Sequence, residues 1–589
     1  MLPNLDKIPD KKAKERIAQW LQGPYDDKTK QEILELLKTN PEKLYDAFYQ
    51  DLSFGTGGMR GIMGVGSNRM NLYTVKSATQ GLANYILEQK ISNPSVVIGY
   101  DSRHHSKAFA SNASDVLRSN GINVYLFPEV RPTPLVSFAI RQKKATAGIM
   151  ITASHNPPEY NGYKVYWSDG AQVLPPHDEG IIEKVSEIES PEDVILKMPP
   201  QGQLISLDKS MDEAYLEKVK TIFLFPEINQ KQGNQLKIVY TNLHGAGISL
   251  MPEVLNRAGF TTVYLVEAQK ELNGDFPNAP KPNPEERQSL QLGMDIMNKE
   301  RADLFIATDP DADRMAAVTN SPHGLQILTG NEIAAILLYH LCHNFTQQNR
   351  LLEKAAFIKS IVTTDLFDKI VRHFKGKCFR VLTGFKYIGQ MIHEWEQSDK
   401  GYQFIFGAEE SYGYLVDTFS RDKDGLTAAA LLAEAALQAK LQHKTLYDLL
   451  LDIYDQFGVY REKLHSINFS EGAEGMKQIK GLMLKLRSSP PKHIGNSSLI
   501  RIDDYQKRTT YNLKTRENSP IPLPESNVLA FHLSDDSTLI IRPSGTEPKI
   551  KIYVKVFEPN GEESVEDAMH KLDERIKYLL DTFMQILHE

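Results

Sequence analysis

The sequence predicts an α/β protein of four domains, with three similar mixed α/β domains followed by a C-terminal α+β domain. At 589 residues the chain is too long for a single core. Three apolar runs typical of strands each end in a polar loop and lead into a helical pattern: 96–100, 237–240 and 357–362. From about residue 456 onward the pattern changes to alternating strands and a long amphipathic helix. Because no long low-complexity linker separates these regions, we expect the domains to pack around a central cleft.

The changes in pattern place the four domains at 1–205, 206–325, 326–455 and 456–589. The first 45 residues predict two helices, with Asp27 as a plausible cap for the helical segment 31–38. The apolar run 428–437 contains Glu434 and predicts a buried helix. Near the C-terminus, positions 550, 552, 554 and 556 alternate as in a half-buried antiparallel strand, and 565–587 predicts the final helix.

The composition favours a cytoplasmic protein that acts on small molecules. The hydrophobic fraction is 41%, and 68 basic against 75 acidic residues give a net charge of −7, so neither a nucleic-acid nor a membrane partner is expected. The two cysteines, Cys342 and Cys378, form no CxxC pair, which fits a reducing compartment. Residues 1–20 lack the apolar core of a signal peptide, and no apolar run approaches the roughly 20 residues that span a bilayer.

A serine loop is the most informative motif. The apolar strand 147–151 leads into Thr152-Ala153-Ser154-His155-Asn156-Pro157, and Lys164 follows ten positions after Ser154. Asn-Pro and the later Asn161-Gly162 are turn signals, so Ser154 is expected on a tight, exposed turn at the end of a strand, where α/β sheets present their chemistry. His155 is either a base for Ser154 or a residue that orients it, and the orienting role is favoured because adjacent side chains rarely face each other.

A second loop offers hard metal ligands. The strand 303–308 is followed by Asp309-Pro310-Asp311-Ala312-Asp313. Three carboxylates at alternate positions, without histidine or cysteine, suit Mg²⁺ better than Zn²⁺. An EF-hand is excluded because Arg314 and Asn320 stand where that loop requires glycine and glutamate. The alternative is a solvated acidic turn, against which the rigid Pro310 and the preceding strand both argue.

Three further loops carry polar groups suited to an anionic sugar. Residues 542–548 combine Arg542, which offers a bidentate fork for phosphate, with Ser544, Gly545 and Thr546; a simple hairpin turn is an equal alternative. The loop 407–414 sets carboxylates and a hydroxyl against aromatic rings. The glycine-dense segment 54–61 lacks the GxGxxG spacing and is expected to be a flexible loop that delivers Arg60 to an anion. Lys386, after Thr383-Gly384-Phe385, either points into the same cleft or belongs to a plain turn.

These loops, in this order, resemble the α-D-phosphohexomutase family, which includes phosphoglucomutases and phosphomannomutases. The resemblance covers nearly the whole chain and rests on four motifs: 152–164, 309–314, 409–411 and 542–546. The segments 54–71 and 382–387 look closest to the bacterial phosphoglucomutases of the phosphopentomutase-like branch. Two positions depart from the family pattern: Ala408 stands where many relatives carry glycine, and Gly413 where some carry histidine.

The resemblance implies a role for each candidate residue. Ser154 would carry a phosphoryl group, and Asp309, Asp311 and Asp313 would bind one Mg²⁺ together with an oxygen of that phosphoserine. Arg60 and Lys164 match family positions beside the phosphoserine and are the acid/base candidates. The sugar hydroxyls would bind Glu409 and Ser411, and the phosphate that does not react would bind four residues of the last loop: Arg542, Ser544, Gly545 and Thr546.

The function that the resemblance implies is a phosphoglucomutase, which interconverts glucose 1-phosphate and glucose 6-phosphate through glucose 1,6-bisphosphate as primer and intermediate. Mannose and pentose phosphates are alternatives within the same chemistry. A metal-dependent sugar phosphatase or phosphotransferase, and a binding protein without catalysis, are more remote alternatives. The expected partners are small-molecule sugar phosphates, and the protein is expected to be a monomer or dimer.

Overall fold

Helices and strands alternate along most of the chain in the computed structural model, which describes residues 5–55, 57–350, 353–399, 401–470, 473–544 and 549–588. The chain divides into two compact units. The first unit comprises residues 1–319, 388–400 and 413–437, and the second comprises 320–387, 401–412 and 438–589. Among the described residues, no helix combines the length and the apolar character that crossing a bilayer would require.

The N-terminal region forms three helices, not the predicted two: α1 (Lys11–Gln22), α2 (Asp27–Thr39) and α3 (Pro41–Phe48). The predicted cap is wrong by one residue, because Asp26 and not Asp27 is the N-cap of α2 and its side chain accepts a hydrogen bond from the Thr29 backbone N–H. A capping side chain must lie just before the first helical residue, where it can reach the free N–H groups of the first turn. The three helices bury their own apolar cluster around Ile17, Ile33 and Phe48.

The first sheet follows these helices within the first unit. Its elements, in chain order, are β1 (Gly58–Ile62), α4 (Leu72–Glu88), β2 (Ser95–Tyr100), α5 (Ser106–Ser119), β3 (Asn123–Leu126), α6 (Thr133–Lys143), β4 (Ala147–Ile151), β5 (Tyr160–Trp167), α7 (His177–Ser186) and β6 (Leu204–Ser206). The strand order is β1–β5–β4–β2–β3–β6. Strands β2 and β4 are buried along their whole length, as expected for parallel strands covered by helices on both faces.

A second sheet of the same design completes the main body of the first unit. Its elements are α8 (Lys209–Val219), α9 (Pro226–Gln232), β7 (Ile238–Thr241), α10 (Met251–Arg257), β8 (Val263–Leu265), α11 (Glu267–Lys270), α12 (Arg287–Glu300), β9 (Leu304–Thr308) and β10 (Met315–Ser321). Strands β8, β7 and β9 are parallel, and β10 returns antiparallel to β9.

After β11 (Gly324–Leu328), which belongs to the second sheet, the third α/β region begins with α13 (Gly330–Gln347), β12 (Ala355–Ser360), α14 (Leu366–His373), β13 (Lys377–Val381), α15 (Lys386–Glu396) and β14 (Gln403–Glu409). It continues with β15 (Gly413–Val416), α16 (Gly425–Leu441) and α17 (Leu446–Phe457). Helix α16 contains the predicted buried helix. Glu434 in this helix is fully buried and accepts hydrogen bonds from Leu224 N, Phe225 N and Asn229 Nδ2 within the first unit, so its carboxylate is satisfied.

The three sheets repeat one strand order, which confirms the prediction of three similar α/β domains. The order β3–β2–β4 in the first sheet corresponds to β8–β7–β9 in the second and to β13–β12–β14 in the third, with parallel pairing throughout. In the first two sheets an antiparallel strand follows the third of these strands. Three loops occupy the same position in this repeat. The serine loop (152–160) follows β4, the loop of alternate aspartates (309–314, the metal loop) follows β9, and the loop that carries Glu409 and Ser411 (407–414, the sugar loop) begins at the end of β14.

The C-terminal domain is an antiparallel sheet with two helices. Its elements are β16 (Val459–Asn468), α18 (Ala473–Ser488), β17 (His493–Ile494), β18 (Ser497–Asp504), β19 (Thr509–Asn512), β20 (Glu517–Pro520), β21 (Leu529–Leu533), β22 (Thr538–Pro543), β23 (Lys549–Glu558) and α19 (Val565–His588). The strand order is β16–β23–β22–β21–β18–β19–β20. Strand β23 is not half-buried as predicted: residues 552–556 are all buried, because α19 covers one face while Tyr553 packs with Ile361 and Leu382 on the other.

Candidate active site

Ser154 lies at the turn that joins β4 to β5, and it is buried rather than exposed as predicted, with 3% of its surface accessible. Its backbone adopts the left-handed conformation, with φ of 52°, which is uncommon for a residue other than glycine. The Ser154 N–H donates to Thr152 Oγ1 at 2.8 Å, which fixes the turn. The Ser154 hydroxyl donates to Asp309 Oδ2 at 2.7 Å and lies 3.2 Å from His155 Nδ1, so the adjacent imidazole does face the serine.

The three aspartates of the metal loop are buried and converge as predicted. Asp309, Asp311 and Asp313 each present an oxygen within 4.8 Å of the others. The loop closes on itself through a hydrogen bond from Arg314 N to Asp309 Oδ1 at 3.0 Å. Thr133, at the start of α6, donates through Oγ1 to Asp311 Oδ2 at 2.8 Å, so the first domain supports the metal loop directly.

Lys164 is the main cationic neighbour of these carboxylates. Its Nζ lies 2.7 Å from Asp311 Oδ2 and 3.0 Å from Asp313 Oδ2. Although burial opposes the charged ammonium, the Asp311 and Asp313 carboxylates outweigh it and raise the pKa of Lys164 above its usual range. The pKa of Asp313 is lowered correspondingly, since Lys164 and Lys423 outweigh the effect of burial on its carboxylate.

Lys423 is a member of this cluster that the sequence analysis missed. Its Nζ lies 3.2 Å from Asp313 Oδ2 and 3.0 Å from Asp422 Oδ1. Asp422 in turn accepts a hydrogen bond from the Tyr166 hydroxyl at 2.8 Å. The available signal was the charged run 421–424 directly before an apolar helix, because charges that precede a buried helix need partners.

The donor set of this cluster fits a divalent cation. Asp311 Oδ1 and Asp313 Oδ1 are buried and accept no hydrogen bond from the described part of the chain. Burial, together with the neighbouring Asp311 and Asp313, raises the pKa of Asp309 well above its usual value. Buried carboxylate oxygens without a donor are costly unless a proton or a cation satisfies them. Two such oxygens beside a third buried carboxylate therefore suit a hard cation, and a solvated acidic turn is ruled out by the burial of all three aspartates.

Arg60 reaches the serine loop from a strand, so the predicted flexible loop is wrong at this position. It lies in β1, which pairs antiparallel with β5, and its Cα partner is Gly162. Its Nη1 donates to Asn156 Oδ1 at 2.9 Å, while the side chain remains largely exposed. Hydrogen bonds of the β-ladder hold β1 against β5. Gly58 allows this close approach, since a Cβ at Gly58 would meet Tyr163 O at 1.9 Å.

The sugar-loop residues lie in the second unit. Glu409, at the end of β14, is buried, and its Oε1 accepts a hydrogen bond from Gly384 N at 2.6 Å. Lys386 begins α15 and its Nζ lies 5.4 Å from the centre of the Tyr387 ring, while Ser411 is half-buried just after Glu409. Ala408 lies within β14 in an ordinary strand conformation, so glycine's freedom is not required there.

Arg542 lies near the end of β22 and Ser544 directly follows that strand, whereas Gly545 and Thr546 lie outside the described residues. Ser544 N donates to Lys549 O at 2.8 Å. Burial raises the pKa of Tyr553, the Glu410 and Glu409 carboxylates raise it further, and Arg542 opposes them through its charge and a side-chain hydrogen bond. Within the second unit, Arg542 and the two glutamates therefore all influence the ionisation of the same tyrosine.

The structure thus brings the predicted residues together in two groups. The first unit gathers Ser154, His155, Lys164 and Arg60 with the three aspartates. The second unit holds Glu409, Ser411, Lys386, Arg542 and Ser544. That both groups line one cleft stays a prediction.

Comparison with known proteins identifies the family. Three consecutive stretches match the domains described as phosphoglucomutase/phosphomannomutase, alpha/beta/alpha domains I, II and III, at residues 51–192, 213–324 and 329–457. The chain belongs to the α-D-phosphohexomutase family. It is therefore an isomerase of the phosphohexomutase class, and its fold comprises the three family α/β domains followed by a C-terminal domain. The family is metal-dependent, in agreement with the buried aspartates.

Individual phosphohexomutases are similar to this chain over most of its length. A curated phosphoglucomutase from Staphylococcus aureus (strain bovine RF122 / ET3-1) is 38% identical over 518 residues, which cover 87% of this chain and 91% of the relative. The phosphoglucomutase of Staphylococcus haemolyticus (strain JCSC1435) is 37% identical over 524 residues, which cover 88% and 93% of the two chains. The crystal structure of pp63/parafusin from Paramecium shares the fold, with a TM-score of 0.65 at 17% identity, over 89% of this chain and 94% of that one.

Proposed function

We propose that this protein is a phosphoglucomutase, which moves a phosphoryl group between glucose 1-phosphate and glucose 6-phosphate through a phosphoserine at Ser154. One observation carries the proposal: the Ser154 hydroxyl lies 2.7 Å from Asp309 Oδ2, inside a buried cluster of three aspartates and Lys164. Curated phosphoglucomutases at 38% identity over most of the chain support glucose as the sugar.

The chemistry consists of two phosphoryl transfers. In the first, the bond between the phosphorus and Ser154 Oγ breaks while a sugar hydroxyl forms a new bond to the same phosphorus and gives up its proton. The product is glucose 1,6-bisphosphate. In the second transfer, the bond between the other phosphorus and its sugar oxygen breaks while Ser154 Oγ gives up its proton and bonds to that phosphorus. The freed sugar oxygen takes up a proton, and the monophosphate with the alternative position leaves. One site must therefore accept the sugar in two orientations.

The residues around Ser154 can each assist these transfers. Asp309, Asp311 and Asp313 would hold one Mg²⁺. When bound, Mg²⁺ supplies positive charge against the negative charge that spreads over the phosphoryl oxygens. Lys164 supplies a second fixed positive charge within the same cluster. Arg60 and His155 lie beside the serine loop and Ser154, and we assign them to binding the phosphoryl group and to holding or moving the proton of the sugar hydroxyl.

The burial of Ser154 also protects the phosphoserine. A phosphoserine in contact with bulk water would lose its phosphoryl group by hydrolysis, whereas Ser154 exposes only 3% of its surface. Transfer to a sugar is then favoured over transfer to water. This supports a mutase over the alternative metal-dependent phosphatase, which needs water at the same position.

Substrate recognition is assigned to the second unit. Glu409 and Ser411 would bind sugar hydroxyls, with Lys386 beside them. Arg542, Ser544, Gly545 and Thr546 would bind the phosphate that does not react. Binding energy from that distant phosphate can be used to close the site, so that transfer occurs only when the sugar is bound. Mannose and pentose phosphates remain the alternatives, because the same residues can accept them.

The test is a comparison of kcat/KM for glucose, mannose and ribose 1-phosphates, each with a trace of its own bisphosphate, while total inorganic phosphate is measured in parallel. The proposal predicts that glucose 1-phosphate has the highest kcat/KM and that no phosphate is released. A higher kcat/KM for mannose or ribose 1-phosphate would show that this sugar phosphate is the substrate. Stoichiometric release of phosphate would show that the protein is a phosphatase and not a mutase. The Ser154→Ala protein is the matched control and should be inactive.

We further propose that the protein acts in the cytoplasm as a monomer or dimer, and that its four domains meet at three boundaries near residues 205, 325 and 455. The free thiols of Cys342 and Cys378 are compatible with a reducing compartment. Light scattering of the purified protein measures the oligomeric state, and a mass above that of a dimer would contradict this expectation.

A further inference from the structure

Arg103 contacts the serine loop through four hydrogen bonds from its guanidinium. It follows β2, and its side chain is completely buried. Its Nη2 donates to Ser154 O at 2.6 Å and also to Asn156 O. Its Nη1 donates to Pro157 O at 2.8 Å and to Tyr160 O at 3.1 Å. One guanidinium therefore gathers four backbone carbonyls of the loop that carries Ser154.

The guanidinium is itself held from two other sides. Its Nε lies 3.3 Å from Asp101 Oδ2, and the second oxygen of Asp101 accepts hydrogen bonds from Arg103 N at 3.0 Å and Ser106 Oγ at 2.9 Å. The Phe276 ring, from the second domain, lies with its centre 4.9 Å from Arg103 Cζ. Because Asp101 N also donates to Ile151 O at the end of β4, the pair is anchored to the strand from which the serine loop departs.

The loop needs such an anchor for two reasons. Ser154 has φ of 52°, and a non-glycine residue keeps this conformation only when its surroundings determine it. Moreover, carbonyl groups in a buried loop without partners would favour other conformations in which they find donors. Arginine is the one side chain with five donors in a rigid planar fork, so it can satisfy four converging carbonyls at once.

We propose that Arg103 is a positioning residue for phosphoryl transfer: it fixes the backbone of residues 154–160 so that Ser154 Oγ points at Asp309 and the metal loop. Arg103 touches neither the sugar nor the reacting oxygens and acts through the serine loop. This inference rests on the proposed phosphoserine function, which it deepens by naming what holds the nucleophile in place.

The test uses Arg103→Met, which keeps the length of the side chain without its donors, and Arg103→Lys, which keeps the charge but offers only three donors. Arg69→Met is the matched control. Arg69 is also buried, pairs with Asp46, and donates to the carbonyls of Asp46 and Asn68 at 3.3 and 3.0 Å, but it does not contact the serine loop. Each full-length variant is assayed for kcat and KM with glucose 1-phosphate, for phosphorylation of Ser154 by glucose 1,6-bisphosphate, and for deuterium uptake across 154–162.

We expect Arg103→Met to lower kcat by about 100-fold, since a misplacement of about 1 Å at the reacting group has an effect of this size. KM should stay near the wild-type value, and Arg103→Lys should recover part of kcat. Phosphorylation of Ser154 should slow in parallel, and deuterium uptake should rise across 154–162 alone. Arg69→Met should leave all four readouts near wild type.

The inference is overturned if Arg103→Met, or Arg103→Lys where the methionine variant does not fold, keeps wild-type kcat and phosphorylation. It is equally overturned if Arg69→Met lowers kcat as much, because general loss of buried arginine contacts would then explain both. If glucose 1,6-bisphosphate fails to phosphorylate Ser154 in the wild-type protein, the proposed function itself is contradicted. Unchanged deuterium uptake across 154–162 in Arg103→Met would by itself contradict the anchoring role of Arg103.

Discussion

Ser154 Oγ and Asp309 Oδ2 lie 2.7 Å apart, although 155 positions of sequence separate the two residues. The repeated strand order explains how this pair can form. Ser154 follows β4 and Asp309 follows β9, which are the corresponding strands of two sheets with the same topology. Each loop lies at the carboxyl end of its strand, where α/β sheets bind ligands. Two copies of one architectural position therefore supply the proposed nucleophile, Ser154, and a proposed metal ligand, Asp309.

Removing Lys164 should affect both stability and activity. Lys164→Met removes the ammonium that pairs with the buried Asp311 and Asp313 and leaves Lys423 beside Asp313, and breaking a buried pair of this kind costs about 3 kcal/mol or more. We expect a lower urea midpoint and a large loss of kcat. The control is Lys184→Met, which removes a surface pair with Glu88 and Glu187. Equal effects in the two variants would contradict the role of Lys164.

A divalent metal should stabilise the protein through the metal loop. Anything that binds only the folded state raises its stability by mass action. Mg²⁺ is therefore expected to raise Tm of the wild-type protein and to restore turnover after EDTA has stopped it. Asp311→Asn should abolish both responses, while Asp295→Asn, at an exposed aspartate on α12, should keep them. Full turnover in the continued presence of EDTA would contradict the assignment of the three aspartates as ligands of a catalytic metal.

Arg542 is expected to bind the phosphate that does not react. Hydrogen bonds to charged groups contribute about 1.5–3 kcal/mol, so Arg542→Ala should raise KM for glucose 1-phosphate by roughly 10- to 100-fold. Steady-state kinetics measure this directly. Arg516→Ala, at an exposed arginine in the turn before β20, is the control and should leave KM unchanged. An Arg542→Ala protein with unaltered KM and kcat would refute the anchoring role.

The N-terminal helices carry a pH-dependent contribution from Asp26. The Tyr73 hydroxyl and the Thr29 backbone N–H donate to its carboxylate and lower its pKa from 3.8 to about 2. A lowered pKa stabilises the folded state above the unfolded pKa, and this contribution is lost as pH falls from about 4 to about 2. Because Asp26 is exposed, we expect about 1 kcal/mol rather than the full value of the shift.

Asp26→Asn tests this contribution, because asparagine caps a helix as well as aspartate but does not titrate. Urea unfolding is followed by tryptophan fluorescence in a background that carries Trp167→Phe and Trp395→Phe, so that the signal comes from Trp20, which stacks on Tyr25. The difference in the free energy of unfolding between wild type and variant should be present at pH 7 and should vanish near pH 2. A difference that is constant with pH would show that the charge of Asp26 contributes nothing.

Sequence reasoning succeeded where the signal is local. The apolar runs before Ser154 and Asp309 predicted the strands that precede them, and alternate aspartates predicted the converging carboxylates. It failed where a residue is buried or paired by parts of the chain that are distant from it in sequence. Ser154 was expected to be exposed, but its turn is covered by Asp309 and its neighbours. Arg60 was expected on a flexible loop, but it pairs with β5. The charged run 421–424 indicates that Lys423 needs a partner but not that the partner is Asp313, and local spacing gives no sign of the contact of Thr133 with Asp311.

The most direct test of the account is the phosphorylation state of Ser154 during turnover. The protein is first treated with glucose 1,6-bisphosphate, then mixed with glucose 1-phosphate, and the peptide that contains Ser154 is followed by quenched mass spectrometry. We predict that Ser154 carries a phosphoryl group after the first step, passes it to the sugar at a rate no slower than kcat, and is rephosphorylated as glucose 6-phosphate accumulates. Turnover with Ser154 unmodified throughout, or undiminished turnover by Ser154→Ala, would contradict the central claim.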